Sequence, residues 1–489
     1  MKTSQNATLA ALGLGLFYAI LFHHGEIGLN VFLFDALVIA LALWIRPELS
    51  KHQSFIWSVG GLLFSAGSVV IVHGQVSIWA HHLTYFLVLG FAQSRELRFV
   101  WFGVILGVGA LFEAPLRQWR RWRTTRRQQD KQASNVALPW LKQVVFPVLI
   151  LVPFLILYVA ANDKFANGIE GFLSYFSNVS IDTDTWWSLM LTVFGGLLTL
   201  GFFYPRMDVS RLVKQQLSFQ DKLLRQKPKR MQNTNPASPF PLHPRPRQKT
   251  LALKTEYRQA VLTFGLLNLL LAAVNATDLH YVWLSPDELS AATLSQYVHL
   301  GTWNLLLSIG LAMLVVLYYF RGNLNFLRES PYLAPLAKLW VIQNSLLALS
   351  VGVRNWHYID AYGLALGRVQ IAFVLLLILF GLFTLFRKIR DRLTLTYLLQ
   401  TNGMAAWLCL LLFAAVNWSC VVTRYNLSAQ TADEVDWNYL LYELPPDNAF
   451  LLYDYPQGRK LIAHKQLVNQ AAITDWRSWN YADWRNLRD

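Results

Sequence analysis

Val369–Phe386 reads VQIAFVLLLILFGLFTLF, eighteen residues with no charged side chain and none of the alternation of a barrel strand. A run this long and continuous is a bilayer-spanning helix. At about 1.5 Å rise per residue, roughly twenty residues cross a hydrocarbon core of about 30 Å with their backbone hydrogen bonds closed internally. Eleven further apolar segments accompany it: Ala7–Phe22, Ile27–Ile45, Phe55–Val72, Val76–Phe91, Phe99–Phe112, Val144–Ala161, Trp186–Phe203, Ala260–Ala276, Leu300–Phe320, Tyr332–Val351 and Met404–Val422. The fold class they imply is all-α: a polytopic integral membrane helix bundle of 11–12 transmembrane helices with a small extracytoplasmic C-terminal region. With 54% hydrophobic and 15% charged residues in 489, the composition excludes a string of soluble domains. Phe99–Phe112 stands apart, because fourteen apolar residues suit a re-entrant or interfacial segment as well as a span.

The net charge of +15 is concentrated in two places. Arg117–Lys131 has seven basic residues and one acid, and Arg206–Lys254 has twelve and two, so the rest of the chain is near neutral. Charge so confined reads as topology rather than as a nucleic-acid surface, and no nucleic-acid partner is expected. Both basic loops belong in the cytoplasm. The chain then divides into N-terminal membrane helices (1–113), a basic loop (114–143), a transmembrane hairpin (144–204), a basic, proline-rich loop (205–257), C-terminal membrane helices (258–422) and a polar extracytoplasmic tail (423–489). Ala7–Phe22 lacks a small-x-small cleavage site before His23 and is expected to stay as the first helix. If Phe99–Phe112 does not cross, eleven crossings put the N-terminus, Arg46, Lys51, Arg95 and Arg98 inside; twelve would put them outside. Asp208–Arg230 has the pattern of a basic amphipathic helix on anionic inner-leaflet lipid, and five prolines between Pro236 and Pro246 mark a linker.

No nucleotide, zinc-protease, nucleophile-elbow or paired-cysteine motif is present, and Cys409 and Cys420 are too far apart along a helix to bridge. No cofactor and no metal is expected, and a non-enzyme is favoured. Asp35 is the sharpest anomaly, an acid in the middle of an apolar segment, where it costs about 2.5–3.5 kcal/mol unless protonated or paired. It is the candidate intramembrane titrating group; the bland alternative is a neutral acid bonded to Asn30 or a bundle neighbour. His81 and His82 could extend a proton path, although paired histidines near a helix end are usually interfacial. Asn268, Asn275, Asn304, Gln343, Asn344 and Asn417 read as interhelical bonds. Asp278, His280, His299, Arg354, His357, Asp360 and Arg368 form a candidate outward-facing polar site, and the three-residue spacing of Arg354, His357 and Asp360 would set them on one helix side.

Several strings carry a family likeness: GLNVFLF from Gly28, LYVAANDKF from Leu157, LSQYVHLGTWNLL from Leu294, RNWHYIDAYGLALGR from Arg354, NWSCVVTRYNL from Asn417 and DWRSWN from Asp475. On these the chain resembles the uncharacterised bacterial multi-pass family described as domain of unknown function 4173, with the 4153 relative as the alternative. The resemblance implies a helical body in a bacterial inner membrane, a polar C-terminal part, and no assigned activity or site residue.

Three functions follow from these features. A membrane-embedded interaction or regulatory protein, meeting a protein partner at its outer face and holding the lipid bilayer at its basic loops, ranks first. A proton-coupled secondary transporter using Asp35 is the second. The third is a membrane transferase acting on a lipid-linked or envelope substrate, with Asp278, His280, His357 or Asp360 as acid or base.

Overall fold

The computed structural model describes residues 2–95, 97–129, 164, 168, 183–204, 247–284, 302–320, 324, 331–429, 435–456 and 475–488. Among them there is no β-strand, and seven helices are long and apolar enough to cross a membrane, with three shorter apolar helices beside them. The protein is therefore an all-α, polytopic membrane protein. Its helices are α1 (Lys2–Phe22), α2 (Leu29–Ile45), α3 (Gln53–Val72), α4 (Gln75–Phe91), α5 (Val100–Gln129), α6 (Thr183–Phe203), α7 (Arg247–Asp278), α8 (Thr302–Tyr319), α9 (Leu333–Tyr362), α10 (Leu366–Asp391), α11 (Leu395–Ala414), α12 (Trp418–Ala429), α13 (Ala449–Leu452) and α14 (Tyr481–Arg488).

Two large cores organise them. In the first, α1–α6 close around Leu14, Phe34, Leu62, Leu87 and Phe202, and α11 inserts Trp407 and Leu411. In the second, α7–α11 close around Phe264, Ile309, Trp340, Val351 and Leu382. A smaller core joins Val369 and Val422 to Leu440, Leu441 and Leu444 of the tail. Because lipid is as apolar as leucine, helix association in a membrane relies on close backbone approach at small residues. Here α1 meets α6 at Gly15, where an added Cβ would fall 2.3 Å from the Thr192 carbonyl, and α4 meets α5 at Gly90, where it would fall 1.8 Å from the Gly103 carbonyl.

The bundle has two chemically different ends. Arg46 at the end of α2 donates to the carbonyls of Ala92 and Phe202, and Lys51, Arg95, Arg98 and Gln400 line one cavity, so these residues share the basic end with the α10–α11 turn at Arg392. At the opposite end, Ser77 at the start of α4 donates to Ala414 at the end of α11 (2.8 Å). The α1–α2 turn and the α9–α10 turn lie at this opposite end as well, by alternation along the chain.

Helix α5 is long and apolar enough to span. Its contacts nevertheless stay near the basic end: Gly103 and Gly107 against Phe86–Gly90, Ala110 beside Gly201, and Gln118 bonded to Thr8. Each of those partners is within two turns of its helix terminus, so α5 lies across this end instead of passing through the bundle. Residues 114–129, read from the sequence as loop, continue this helix.

Other boundaries differ from the sequence reading as well: α7 begins at Arg247, inside the stretch 205–257 read as loop. Helix α9 runs eleven residues past Val351, to Tyr362, and stops where Gly363 takes a positive φ of 78° that other residues rarely adopt. Met404–Val422 is two helices. The chain breaks after Ala414, and Asn417 caps α12 by accepting from the Cys420 N–H (3.0 Å). Val144–Ala161, Asp208–Arg230 and residues 233–246 lie outside the described residues.

Candidate functional site

Asp35 and His81 sit on α2 and α4, each six residues from the helix start and so about 9 Å in from the opposite end. His81 Nε2 lies 2.7 Å from Asp35 Oδ2, with Asp35 1% and His81 6% exposed. The second ring nitrogen, His81 Nδ1, is buried without a hydrogen-bond partner. Tyr85 packs one turn further along α4, its ring 6.5 Å from that of His81. The pair can share one proton between carboxylate and imidazole in a dry interior, which is the chemistry of a proton-holding site.

Of the two partners read for Asp35, the bundle neighbour is the one found. Asn30 instead accepts from the N–H groups of Gly28 and Val31 and donates to the carbonyls of Leu21 and Glu26, folding the α1–α2 turn. The reading of the two histidines as an interfacial pair is corrected. His82 is exposed and bonded to Ile78 of its own helix, whereas His81 faces the core.

At the opposite end of the second bundle, only part of the outward polar set converges. Arg354 of α9 forms an ion pair with Asp278 at the end of α7, and His357 Nε2 lies 3.2 Å from the Val282 carbonyl in the π-helical turn Leu279–Leu284. Arg368 sits apart, its guanidinium over the Tyr358 ring at 4.1 Å and bonded to the Gly363 carbonyl. His280 and Asp360 are exposed and share no contact with that ion pair, and His299 lies outside the described residues. The three-residue spacing therefore placed Arg354 and His357 on one working side, while Asp360 points away. Asp278, one of the acid–base candidates, is engaged by Arg354.

The ion pair crowns a polar seam. Helices α7 and α9 run parallel, and their contacts advance in step: Asn268 donates to Leu336 and accepts from Gln343, Asn275 donates to the Gln343 carbonyl, and Trp283 donates to Ser350. Asn268 and Asn275 fall seven residues apart, as do Leu336, Gln343 and Ser350, while Trp283 lies eight past Asn275, in the π-helical turn. These carboxamides are interhelical bonds, as read. Asn304 is exposed and Asn344 bonds within α9, so they do not join the seam.

The C-terminal segment Asp475–Asn480 makes the junction that sequence reasoning missed. The first N–H groups of a helix have no internal acceptor, and α2 begins at Leu29. The Leu29 N–H donates to the Trp479 carbonyl (2.9 Å) and the Asn30 N–H to the Arg477 carbonyl (2.8 Å), while Ser478 Oγ accepts from Glu26. Gly28 makes room, since an added Cβ would fall 2.3 Å from the Ser478 carbonyl. Arg477, held by Asp475, donates to the Ile20 carbonyl at 2.6 Å. The rest of the tail is tied to α12, with Asn448 donating to Thr423, and α14 packs on α3. The tail thus fastens the second bundle to the first. Burial, with Asp483 nearby, pushes the Asp447 carboxyl up to about 7. Beside the junction, half-buried His23 and exposed His24 and Asp184 bring three ligand atoms within 4.8 Å of one another, a grouping that the sequence reading did not connect.

The sequence model of a domain of unknown function, DUF4153, matches residues 36–455, most of the chain. The chain belongs to the DUF4153 family. Of the two relatives the strings suggested, 4153 is therefore the one found, and the name 4173 is not. The DUF4153 match takes in the strings at Leu157, Leu294, Arg354 and Asn417, the α7–α9 seam and His81. It begins one residue after Asp35 and ends before Asp475–Asn480, so the strings at Gly28 and Asp475, which meet each other in the fold, both fall outside it. No curated protein and no solved structure matches the chain.

Proposed function

We propose that this DUF4153 protein is a membrane-embedded interaction or regulatory protein whose working surface is the end where the tail docks. The observation that carries the reading is the tail junction. A segment some 450 residues away in sequence supplies the acceptors for the start of α2 and ties two separately cored bundles together at one face. The polar residues of that face support the same reading, since Asp278, Arg354 and His357 are engaged internally, whereas His280, Tyr281, Trp356 and Asp360 stay exposed for a partner. On this reading the basic end faces the cytoplasm of a bacterial inner membrane, with the N-terminus inside and the C-terminus outside. The gathering of Arg46, Lys51, Arg95 and Arg98 at one end and the lie of α5 across it support that orientation and eleven crossings.

The test is a photo-crosslinking amino acid at Trp356 or Asp360 in intact cells. A discrete protein adduct that is lost when the probe is moved to lipid-facing Leu376 supports the reading. A correctly inserted protein without such an adduct at either position overturns it. Thiol accessibility of single cysteines placed at Lys51 and Asp360 tests the orientation.

The Asp35–His81 pair favours a second reading, a proton-coupled carrier. Its test is proton uptake into proteoliposomes under an imposed potential: uptake present in the wild type and abolished by Asp35→Asn supports a carrier, and equal traces reject it.

A further inference from the structure

A cavity of about 480 Å³ opens at the basic end between the start of α3, the α4–α5 turn and the first half of α11. Its rim carries Lys51, Arg95 and Arg98, all exposed, and no acid is among its described lining residues. Gln53, Ser54 and Gln400 add polar groups beside the cations. The wall beneath is apolar: Phe91, Val100, Met404 and Trp407, with Trp57 74% exposed at the outer edge. The neighbouring acid Glu48 is engaged by Arg46 (2.9 Å). His52, which caps α3 next to Lys51, is held below its ordinary protonation range by burial and then by Arg46 and Arg95.

Cations at the mouth and aromatic and thioether groups behind them sort a ligand by its two ends. The head must be anionic and rich in acceptors, because guanidinium and ammonium groups have only donors to offer. The tail must be largely apolar, because the wall behind the cations is Phe91, Val100, Met404 and Trp407, and the Trp407 indole N–H is already committed to Thr84 at 3.1 Å. The volume falls in the range of small-molecule sites, about 300–1,000 Å³. Basic pockets between membrane helices at headgroup depth have this character.

We propose that this cavity binds the phosphate group of an amphiphile, the phosphate between Lys51, Arg95 and Arg98 and the chain along Trp57 and Met404. None of its described lining residues comes from the basic stretches 117–131 and 206–254, and the site stands whether or not the opposite end binds a protein. Two sources share this chemistry, a membrane phospholipid and a soluble phosphate. The experiment uses the full-length protein purified in detergent and read by native mass spectrometry during titration with phosphatidylglycerol, phosphatidylcholine or inorganic phosphate. Phosphatidylglycerol is expected to bind, and the triple variant Lys51→Gln, Arg95→Gln, Arg98→Gln to bind it at least about tenfold more weakly. Arg387→Gln with Arg390→Gln, which removes two exposed cations elsewhere at the same end, is expected to change nothing. Trp57→Ala should weaken long-chain lipid more than a short-chain analogue. An elution profile matching the wild type shows that each variant is folded. Equal binding by wild type and triple variant overturns the site, as does equal binding of phosphatidylcholine. Inorganic phosphate that binds alone and displaces the lipid at equal concentration overturns the amphiphile.

Discussion

Asp35 and His81 occupy equal depths on two parallel helices, α2 and α4, and close a 2.7 Å contact that leaves the carboxyl 1% exposed. Removing one partner of such a pair strands the other in a low-dielectric interior. His81→Ala is expected to destabilise the protein by about 3–5 kcal/mol, whereas the neutral double variant Asp35→Asn, His81→Gln should recover most of the loss. The midpoint of heat-induced loss of the monodisperse species in detergent measures both. Equal midpoints for His81→Ala and the double variant would show that the carboxyl had found another partner.

Helix α5 depends on glycine for its lie across the basic end. A Cβ at Gly90 would fall 1.8 Å from the Gly103 carbonyl, so Gly90→Ala has to push two backbones apart. Gly109, on the same α5, has nothing within 4 Å of the added atom, and Ala there gains roughly 1 kcal/mol of helix propensity. Gly90→Ala is expected to lower the thermal midpoint and Gly109→Ala to hold or raise it. The opposite order would mean that α4 and α5 do not meet at these glycines.

The spans were legible because continuous apolarity is a local property: Val369–Phe386 lies wholly inside α10. The lie of α5 was not, since a crossing helix and a lying helix can share length and composition, and what separates them is a set of tertiary contacts at Gly90, Gly201 and Thr8. Asp35 announced itself by the cost of its charge, but any polar residue on a neighbouring helix could have answered it. The tail junction left little side-chain signal, because Trp479 and Arg477 meet the start of α2 through their carbonyls, and across it the Ser478 hydroxyl and Arg477 guanidinium reach only backbone groups. The outward set was half legible: spacing found Arg354 and His357, and only the helical continuation to Tyr362 explains why Asp360 faces away.

The Asp278–Arg354 pair separates a fastener from an exposed site. Arg354→Gln leaves Asp278, 5% exposed, without its counter-charge and is expected to cost about 3–5 kcal/mol in the same thermal assay. Asp360→Asn and His280→Gln change exposed side chains and should stay within about 0.5 kcal/mol. If these surface variants abolish the crosslinked adduct while leaving the midpoint unchanged, the polar face acts through His280 and Asp360 and not through the buried pair.

Tail docking is expected to weaken with rising pH because of Asp447. In the docked tail, burial, reinforced by Asp483, holds the carboxyl up to about 7, against about 3.9 for a free aspartate. The docked form therefore binds more protons than the undocked form between these values. Its advantage is complete below about pH 4 and is lost as pH rises through about 7. Phe450, three residues after Asp447, bonds through its N–H to Asn486 of α14 and reports on docking. Its amide protection factor, corrected for intrinsic exchange, should fall between pH 5 and pH 8 in the wild type. In Asp447→Asn the fall should vanish and the protection at pH 8 should exceed that of the wild type. An unchanged slope in the variant would assign the pH response to another group.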